Sequence, residues 1–559
     1  MTTTQNLASQ LKIKLDGTEV RPSVMSNIVE VVVDQHAHLP HMFSILITDP
    51  VLSVLDEGPF DLTKKIEIAA EREDGSKTIL IKGEITVLEP RFGEGMEAEL
   101  VIQGFDPSHR LYRESKSRTF VNMKDSDIAQ KIAQEGGLQA QIDNTSIPYD
   151  HIYQDNQSDL AFLRQRAWRI GFECFVNEET LYFRRPSAAG ATVTLTWGKD
   201  LLSFHPRVSL AEQLDEVIVK GWDPDKQAAI VGQASKGRLY PEIGESRDGA
   251  TWAGNFRRPG KMVIVDQPVV SQSEADTLAA ARLDEVSGAF IEAEGVAFRR
   301  PDIQVGRSVK LEGLGRRMSG TYLVTAATHR YSPEGLKTTF AVRGTRTGTF
   351  TELAMRQRPL PRWLGAVTAV VTNTQDPKDW GRVKVKFPWL ADNAESEWAR
   401  VLGIGAGPDA GFYCIPDVGD EVLVLFEHGD INHPYVLGAL WNGQHDIPPE
   451  ASSAPSGDKP KIRVWRSRAG HSVTLDDTKD KIVIVTKDSQ IITLDDDGIK
   501  MESKKGKVVI VTKDKHTISI EDSGIKLESK RDIKLDATGN INIEAKGQVT
   551  VKGSLINLN

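Results

Sequence analysis

Cysteine is nearly absent from this chain: two occur in 559 residues, Cys174 in FECFV and Cys414 in FYCIP. Two thiols make no disulfide framework, and their apolar neighbours predict buried free thiols in a reducing compartment. An excess of positive charge is also missing. The formal net charge is −9 and no run of Lys or Arg occurs, which argues against nucleic acid or an anionic membrane surface as the main partner, because both attract basic patches. No stretch of 18 apolar residues exists, so no membrane-spanning helix is expected. The start, MTTTQNLASQLKIKL, lacks a basic segment followed by an apolar run, so synthesis in the cytoplasm without a signal peptide is expected, with any export left to a machine. No G-x-S-x-G, P-loop or H-E-x-x-H is present, and the chemistries those motifs carry lose their usual signal.

What is present reads as ordinary globular protein, 39% hydrophobic and 26% charged, long enough for three or four domains with their own cores. From residue 10 to about 120 the chain is strands and turns: LKIKLDG, VEVVVDQ, FSILITD, KIEIAAE, TILIKGEITVLEP and AELVIQGFD mostly alternate apolar with polar. Two helices follow. Ser126 is the expected N-cap of DIAQKIAQEGG, ended by Gly136 and Gly137, and Ser158 that of DLAFLRQRAWRIG, ended by Gly171. In the second, Leu160, Leu163, Ala167 and Ile170 mark one core-facing side. Strands then resume, with one further helix at 273–288. RQRPLPRWLG, with prolines at 359 and 361, reads as a boundary. Residues 363–445 hold five short strands, which suggests a small barrel of the OB type, and DIPPEASSAPSGDKPK, 446–461, has linker composition.

The last segment repeats. IVIVTKDSQIITLDDDGIKMESK, 482–504, recurs as VVIVTKDKHTISIEDSGIKLESK, 508–530, an offset of 26 residues, with Asp497-Gly498 and Ser523-Gly524 as the expected turns. Beyond 530 strands of four or five residues are expected between TGN, KGQ and KGS. After Gly470 there are fifteen basic and fifteen acidic residues, interleaved with Ile, Val and Leu, so one face is hydrated and the other must be covered. Two arrangements cover it. One is a single-chain solenoid with one coil per repeat, the other an intertwined trimer in which three copies wall a prism. The alternation alone leaves both open.

Several clusters of metal-ligating residue types occur, and each has a plainer reading. His516 shares strand parity with Ile518 and Ile520, so three copies could hold a metal on an axis. A strand-end residue near a turn, matched by Gln490 one repeat earlier, is the preferred reading. QHAHLPH places His36, His38 and His41 close together, the first two on one expected strand face, and a half-exposed strand before a Pro turn is preferred to a metal site. Glu427, His428, Asp430 and His433 crowd a segment that reads as a turn between barrel strands. GIGAGPDAG, 403–411, reads as a barrel loop, and Asp420-Glu421 as a solvated strand start. No cofactor, metal or catalytic residue is assigned.

Residues 363–445, through GRVKVKFPW, WARV and IPDVGDEVLVLFEHGDINHPYVLGALWNG, resemble the OB domain of VgrG proteins, the type VI secretion spike, and of related central spikes of contractile phage tails and extracellular injection systems. Upstream, GFDPSHRLYR, QSDLAFLRQRAWRIGFECFV and RPDIQVGRSVKLEGLGRRMSGTYLVTAATHRYS look like the hub of the same proteins, and the 26-residue repeats look like their needle. The resemblance implies a mainly β homotrimer: a hub of two related barrel domains at 1–350, an OB-fold at 360–446, a linker at 447–460 and a trimeric β-helical needle at 461–559. It implies a structural spike, not an enzyme, that adapts a hexameric tail tube to a threefold membrane-puncturing point, among baseplate proteins and without nucleic acid. A PAAR-type tip protein would sit on Leu555, Ile556, Asn557, Leu558 and Asn559. Some phage spikes carry a lysozyme between barrel and needle, and 446–461 is too short for one; some VgrG proteins carry a toxic domain after the needle, and none is expected here. The compact length points to an extracellular or phage-like system rather than a type VI effector carrier. The competing class is a phage-type tail spike or fibre with glycan-binding or cell-wall-degrading activity.

Overall fold

The computed structural model describes residues 11–558, except 73–74, 188–190, 224–225, 227, 239–240, 246, 345, 347–362, 389, 392, 453–459, 505, 514–515 and 522. The RQRPL prolines and Asn559 therefore lie outside the described residues. The chain forms two compact units, 1–440 and 441–559.

In the first unit, alternating strands assemble into one eleven-stranded sheet with two cores. Its strands are β1 (Leu11–Leu15), β2 (Thr18–Glu19), β3 (Ile28–His36), β4 (Met42–Thr48), β5 (Lys65–Glu71), β6 (Lys77–Phe92) and β7 (Ala98–Phe105), followed by β8 (Leu201–Val208), β9 (Ile291–Phe298), β10 (Ala326–Ser332) and β11 (Gly335–Val342). They run in the order β8-β9-β11-β10-β3-β4-β7-β6-β5-β1-β2. The seam between the halves is the antiparallel pair β3 and β10, from Ala326 opposite His36 to Tyr331 opposite Val31. Burial follows the period of two: Leu11, Ile13 and Leu15, or Phe43, Ile45 and Ile47, point inward. The first half closes on Val20, Val54 and Phe60. The second closes on Val193, Leu195, Val309, Leu311 and Tyr322, which lie on or beside a four-stranded sheet. Buried Gln35 ties the halves together: its Nε2 donates to the Leu80 carbonyl at 2.7 Å, and its Oε1 accepts from the Val305 N–H at 3.3 Å.

Helices α1 (Asp125–Glu135) and α2 (Asp159–Ile170) share a third core with Phe120, Phe172 and Phe183. The cap of α2 is as expected, Ser158 Oγ accepting from the Ala161 N–H, and Gly171 ends it at φ 71°. The cap of α1 is not. The helix begins at Asp125 with Lys124 before it, so Ser126 lies inside the first turn. Its unpaired N–H donates to Thr145 Oγ1 at 3.1 Å, a partner 19 residues away that no local motif announces. Helix α3 (Gln272–Gly288) starts one residue before the expected 273, capped by Ser271, and packs on a three-stranded sheet that contains Val217, Val219 and Ile264.

The barrel segment forms a five-stranded sheet from β12 (Val367–Asn373), β13 (Lys384–Lys386), β14 (Arg400–Val401), β15 (Glu421–Phe426) and β16 (Pro434–Ala439), ordered β13-β12-β15-β16-β14. Val371, Val385, Phe387, Val422, Val424 and Val436 fill it. GIGAGPDAG folds as a small exposed hairpin, Ala406–Gly407 against Ala410–Gly411. Cys174 is buried, but Cys414, expected to be buried, is exposed: its segment leaves that hairpin and joins no strand.

The second unit contains β17 (Ile462–Arg466), β18 (Ser472–Asp476), β19 (Lys481–Val485), β20 (Gln490–Asp495) and β21 (Gly498–Ser503) in one antiparallel meander, and β22 (Val508–Val511), β23 (Thr517–Glu521) and β24 (Gly524–Glu528) in another. Adjacent strands pair through hairpins, so the one-coil-per-repeat solenoid is not what this chain forms. Asp495 pairs with Gly498, so Asp496 and Asp497 make the turn and Gly498, at φ 120°, opens the next strand. Among the described residues no strand follows Glu528. The expected short strands have no in-chain neighbour, and strands of four or five residues do not hold a ladder alone. The linker includes a short helix, Pro449–Ser452.

Candidate self-association surface and tip

Register places one row of large apolar residues of the second unit on a common face, and a second set, Ile462, Val464, Val483, Val485 and Ile491, on the other. Across β17 to β21 the opposed pairs run Trp465 to Val473, Val473 to Ile484, Ile484 to Ile492 and Ile492 to Met501, and beside them Leu475 to Ile482, Ile482 to Leu494 and Leu494 to Ile499. The offset of 26 maps this face onto the next meander: Ile482, Ile484, Ile492, Leu494, Ile499 and Met501 become Val508, Ile510, Ile518, Ile520, Ile525 and Leu527. Most are exposed, Ile499 and Ile525 both by 70%.

The opposite face is the better covered one. Ser472, Thr474 and Asp476 are buried there, and Arg466, of their parity, pairs with Glu450 of the linker helix. Asp476 Oδ1 accepts the N–H groups of Thr478 and Lys479. Among the described residues after Leu440, no large apolar side chain is fully buried. The half-buried Ile462, Val464, Val483, Val485 and Ile491 share that covered side with Ser472, Thr474 and Asp476, while the row of larger Ile and Leu side chains faces solvent, an exposed apolar patch of the kind that marks an interface.

The remaining predicted site residues distribute as follows. His516 precedes β23 at a turn; its Nδ1 lies 2.7 Å from Ser529 Oγ and accepts the Lys530 N–H at 3.3 Å. Leu555, Ile556 and Leu558 are exposed, by 77%, 48% and 91%, and Asn557 is exposed beside them. His36 ends β3, so His38 is in the turn and not on the same strand; it donates its N–H to His36 Nδ1 at 3.1 Å. His41 is buried 3.8 Å from Asp106. Burial, then the charge of His36, lowers its pKa to about 3, while burial raises Asp106 to about 7 against the N–H donors of Ser108 and His41. Glu427, His428, Asp430 and His433 form the turn between β15 and β16. Among the described residues no group of three or more His, Cys, Asp or Glu is placed to hold a metal ion.

That turn has a role the sequence did not signal. Asn432 accepts the Tyr153 N–H at 2.7 Å, the Trp363 indole donates to Asp155 at 2.5 Å, and His151 Nε2 donates to the Glu395 carbonyl at 2.7 Å. The Tyr153 ring belongs to the barrel core, edge-on to Phe387. Burial opposes ionisation of Asp430, yet the charges of His433 and Arg169 and the bonds from Asn432 hold its carboxyl below the usual range. These partners lie more than 200 residues apart, so no local pattern pairs them. Their effect is to bolt the strand Pro148–Ser158 to the barrel.

Comparison with known proteins agrees with this architecture. The model of the Alg8 N-terminal domain matches residues 5–333, and that of the type VI secretion system and phage-baseplate injector OB domain matches 367–441. Two Pseudomonas aeruginosa type VI secretion system spike proteins are similar: VgrG5, 42% identical over 102 residues (17% of this chain, 13% of that protein), and VgrG1b, 32% over 152 residues (25% and 20%). The chain thus spans a fifth or less of the length of these curated relatives. Among solved structures, the E. coli c3393 protein, described as a component of the type VI secretion system with similarity to the T4 tail proteins gp27 and gp5, aligns at a TM-score of 0.50 and 15% identity, over 77% of this chain and all of that one. By the match across more than half its length the chain belongs to the family of the Alg8 N-terminal domain, the segment that follows matches the injector OB domain, and over part of its length the chain is similar to VgrG spike proteins.

Proposed function

We propose that the chain works as a homotrimer, in which the apolar faces of the second unit meet around a threefold axis to make a needle. The observation that carries this is the solvent-facing row of large apolar residues running from Trp465 and Val473 to Leu527 and repeated at 26 residues. Burying one such aliphatic side chain contributes about 1.5–3 kcal/mol, and three copies exclude water from all three faces at once. The two-core hub, taken at 1–350, supplies two sheet halves per chain and so six per trimer, which suits seating on a hexameric tail tube. The OB-fold at 360–446 and the linker at 447–460 lead into the needle at 461–559.

The needle acts mechanically, piercing a target membrane, and the spike does no chemistry of its own. It assembles in the cytoplasm into a baseplate and leaves with the particle. A PAAR-type tip protein covers the exposed end at Leu555, Ile556, Asn557, Leu558 and Asn559. The test is the solution mass of the purified chain by light scattering. About three times 61.7 kDa, persisting in mild detergent, is expected; a stable single-chain mass would overturn the reading.

A further inference from the structure

The hub carries two exposed features of opposite charge. The first is an arm. Beyond Glu84, β6 has no β5 neighbour and becomes a free edge while β7 stays paired with β4, and residues 89–97 at the hairpin's end are all exposed, with Phe92 at 67% and Met96 at 89%. Gly95, at φ 77°, turns the tip. Arg91 pairs with Glu89, which leaves Glu94 and Glu97 as the acids beside the two apolar tips.

The second is a patch at the end of the three-stranded sheet, in GNFRRPGKMV, 254–263. Phe256 is 65% exposed, with Met262 and Val263 also in solvent. Lys261 pairs with Glu216, which leaves Arg257 and Arg258 as the cations beside them. Each feature therefore shows bulky apolar residues flanked by two charges, negative on the arm and positive on the patch. Apolar groups this exposed, with complementary rims, are the anatomy of an interface.

Resting on the threefold reading above, we infer that the arm of one copy docks on the 254–263 patch of the next copy. Phe92 and Met96 cover Phe256 and Met262, while Glu94 and Glu97 face Arg257 and Arg258. A contact between two different surfaces is head-to-tail, and such contacts close into a ring when the rotation closes. Pro90, without an N–H on the free edge of β6, favours side-chain docking over strand addition. The arm contact then reinforces the needle's association in the hub without replacing it.

The test uses the full chain with Cys414→Ser, since Cys174 is buried and unreactive toward maleimides. Met96→Cys and Phe256→Cys are introduced separately and together, and treated with a short bis-maleimide. The double variant is expected to give covalently linked species up to three chains, and neither single variant to do so. Glu94→Arg with Glu97→Arg should cut the linking at least fivefold, and adding Arg257→Glu and Arg258→Glu should restore it. A three-chain mass without this linking, linking by Met96→Cys alone, or no restoration on charge exchange would overturn the arm contact and leave the trimer standing. A single-chain mass would overturn both.

Discussion

At the scale of single residues, burial disfavours the charged form of His41 and His329 in the first unit. His329 is buried with Nδ1 3.0 Å from Thr338 Oγ1, and burial lowers its pKa to about 4. The unfolded chain protonates this group near the ordinary value of about 6.5. The contribution of His329 to stability is therefore complete above pH 6.5 and is lost as pH falls through that window toward 4, by at most about 1.4 kcal/mol per pH unit. His41 has the same sign, lowered to about 3. Its neighbour Asp106, raised to about 7, takes up a proton on folding between about pH 4 and 7, where His41 refuses one, so this pair nearly cancels. His329 is left as one contributor of this sign, together with His151, whose pKa burial also lowers. Thermal unfolding of the full chain should shift to lower temperature between pH 7 and pH 5, and His329→Asn should flatten that dependence while His41 and Asp106 remain in place. An unchanged slope would show that the acid response of the first unit lies elsewhere.

Elements are held by partners of two kinds, local and remote, and the two respond differently to mutation. Ser158→Ala removes a cap whose acceptor and donor are three residues apart, with an expected loss of about 1 kcal/mol read from the denaturation midpoint. Thr145→Ala should cost a similar amount, although Thr145 lies outside α1, because it alone answers the Ser126 N–H. In β7, Gly104 has no room at all: a Cβ there would lie 1.9 Å from the Glu84 carbonyl and 2.6 Å from the Phe43 ring. Gly104→Ala should displace the strand pair and lower the soluble yield sharply, in contrast to the open Gly254. This division also explains what could be read in advance. Ser158 and Gly171 bracket α2 within one motif, and the 26-residue period fixes which side chains share a face. Thr145, Asn432 and Trp363 act across distances at which no motif reaches. The antiparallel meander was hidden for another reason: alternation with a period of two is identical for a coil and for hairpins, and only register separates them. Cys414 misled because its apolar neighbours, Phe412, Tyr413 and Ile415, belong to an exposed loop rather than a strand.

For the whole molecule, association and capping should be separable. The apolar face is spread over eight strands, so a change at its centre is felt by all three copies, while one at the end is felt by few contacts. Ile484→Asp with Ile510→Asp places six carboxylates per trimer inside a water-free axis, where each uncompensated charge costs several kcal/mol. Such a chain should run as a single copy with its first unit folded, shown by light scattering and unchanged protection of Tyr153 and Phe387 from solvent labelling. Deleting residues 555–559 removes Leu555, Ile556 and Leu558, which are exposed already and touch no strand. It should leave the three-chain mass intact and abolish capture of a PAAR-type tip protein in a pull-down with purified partners. Capture at full strength by the shortened chain would place the tip contact elsewhere, and loss of the trimer on deletion would mean that the last turns, rather than the repeated face, hold the copies together.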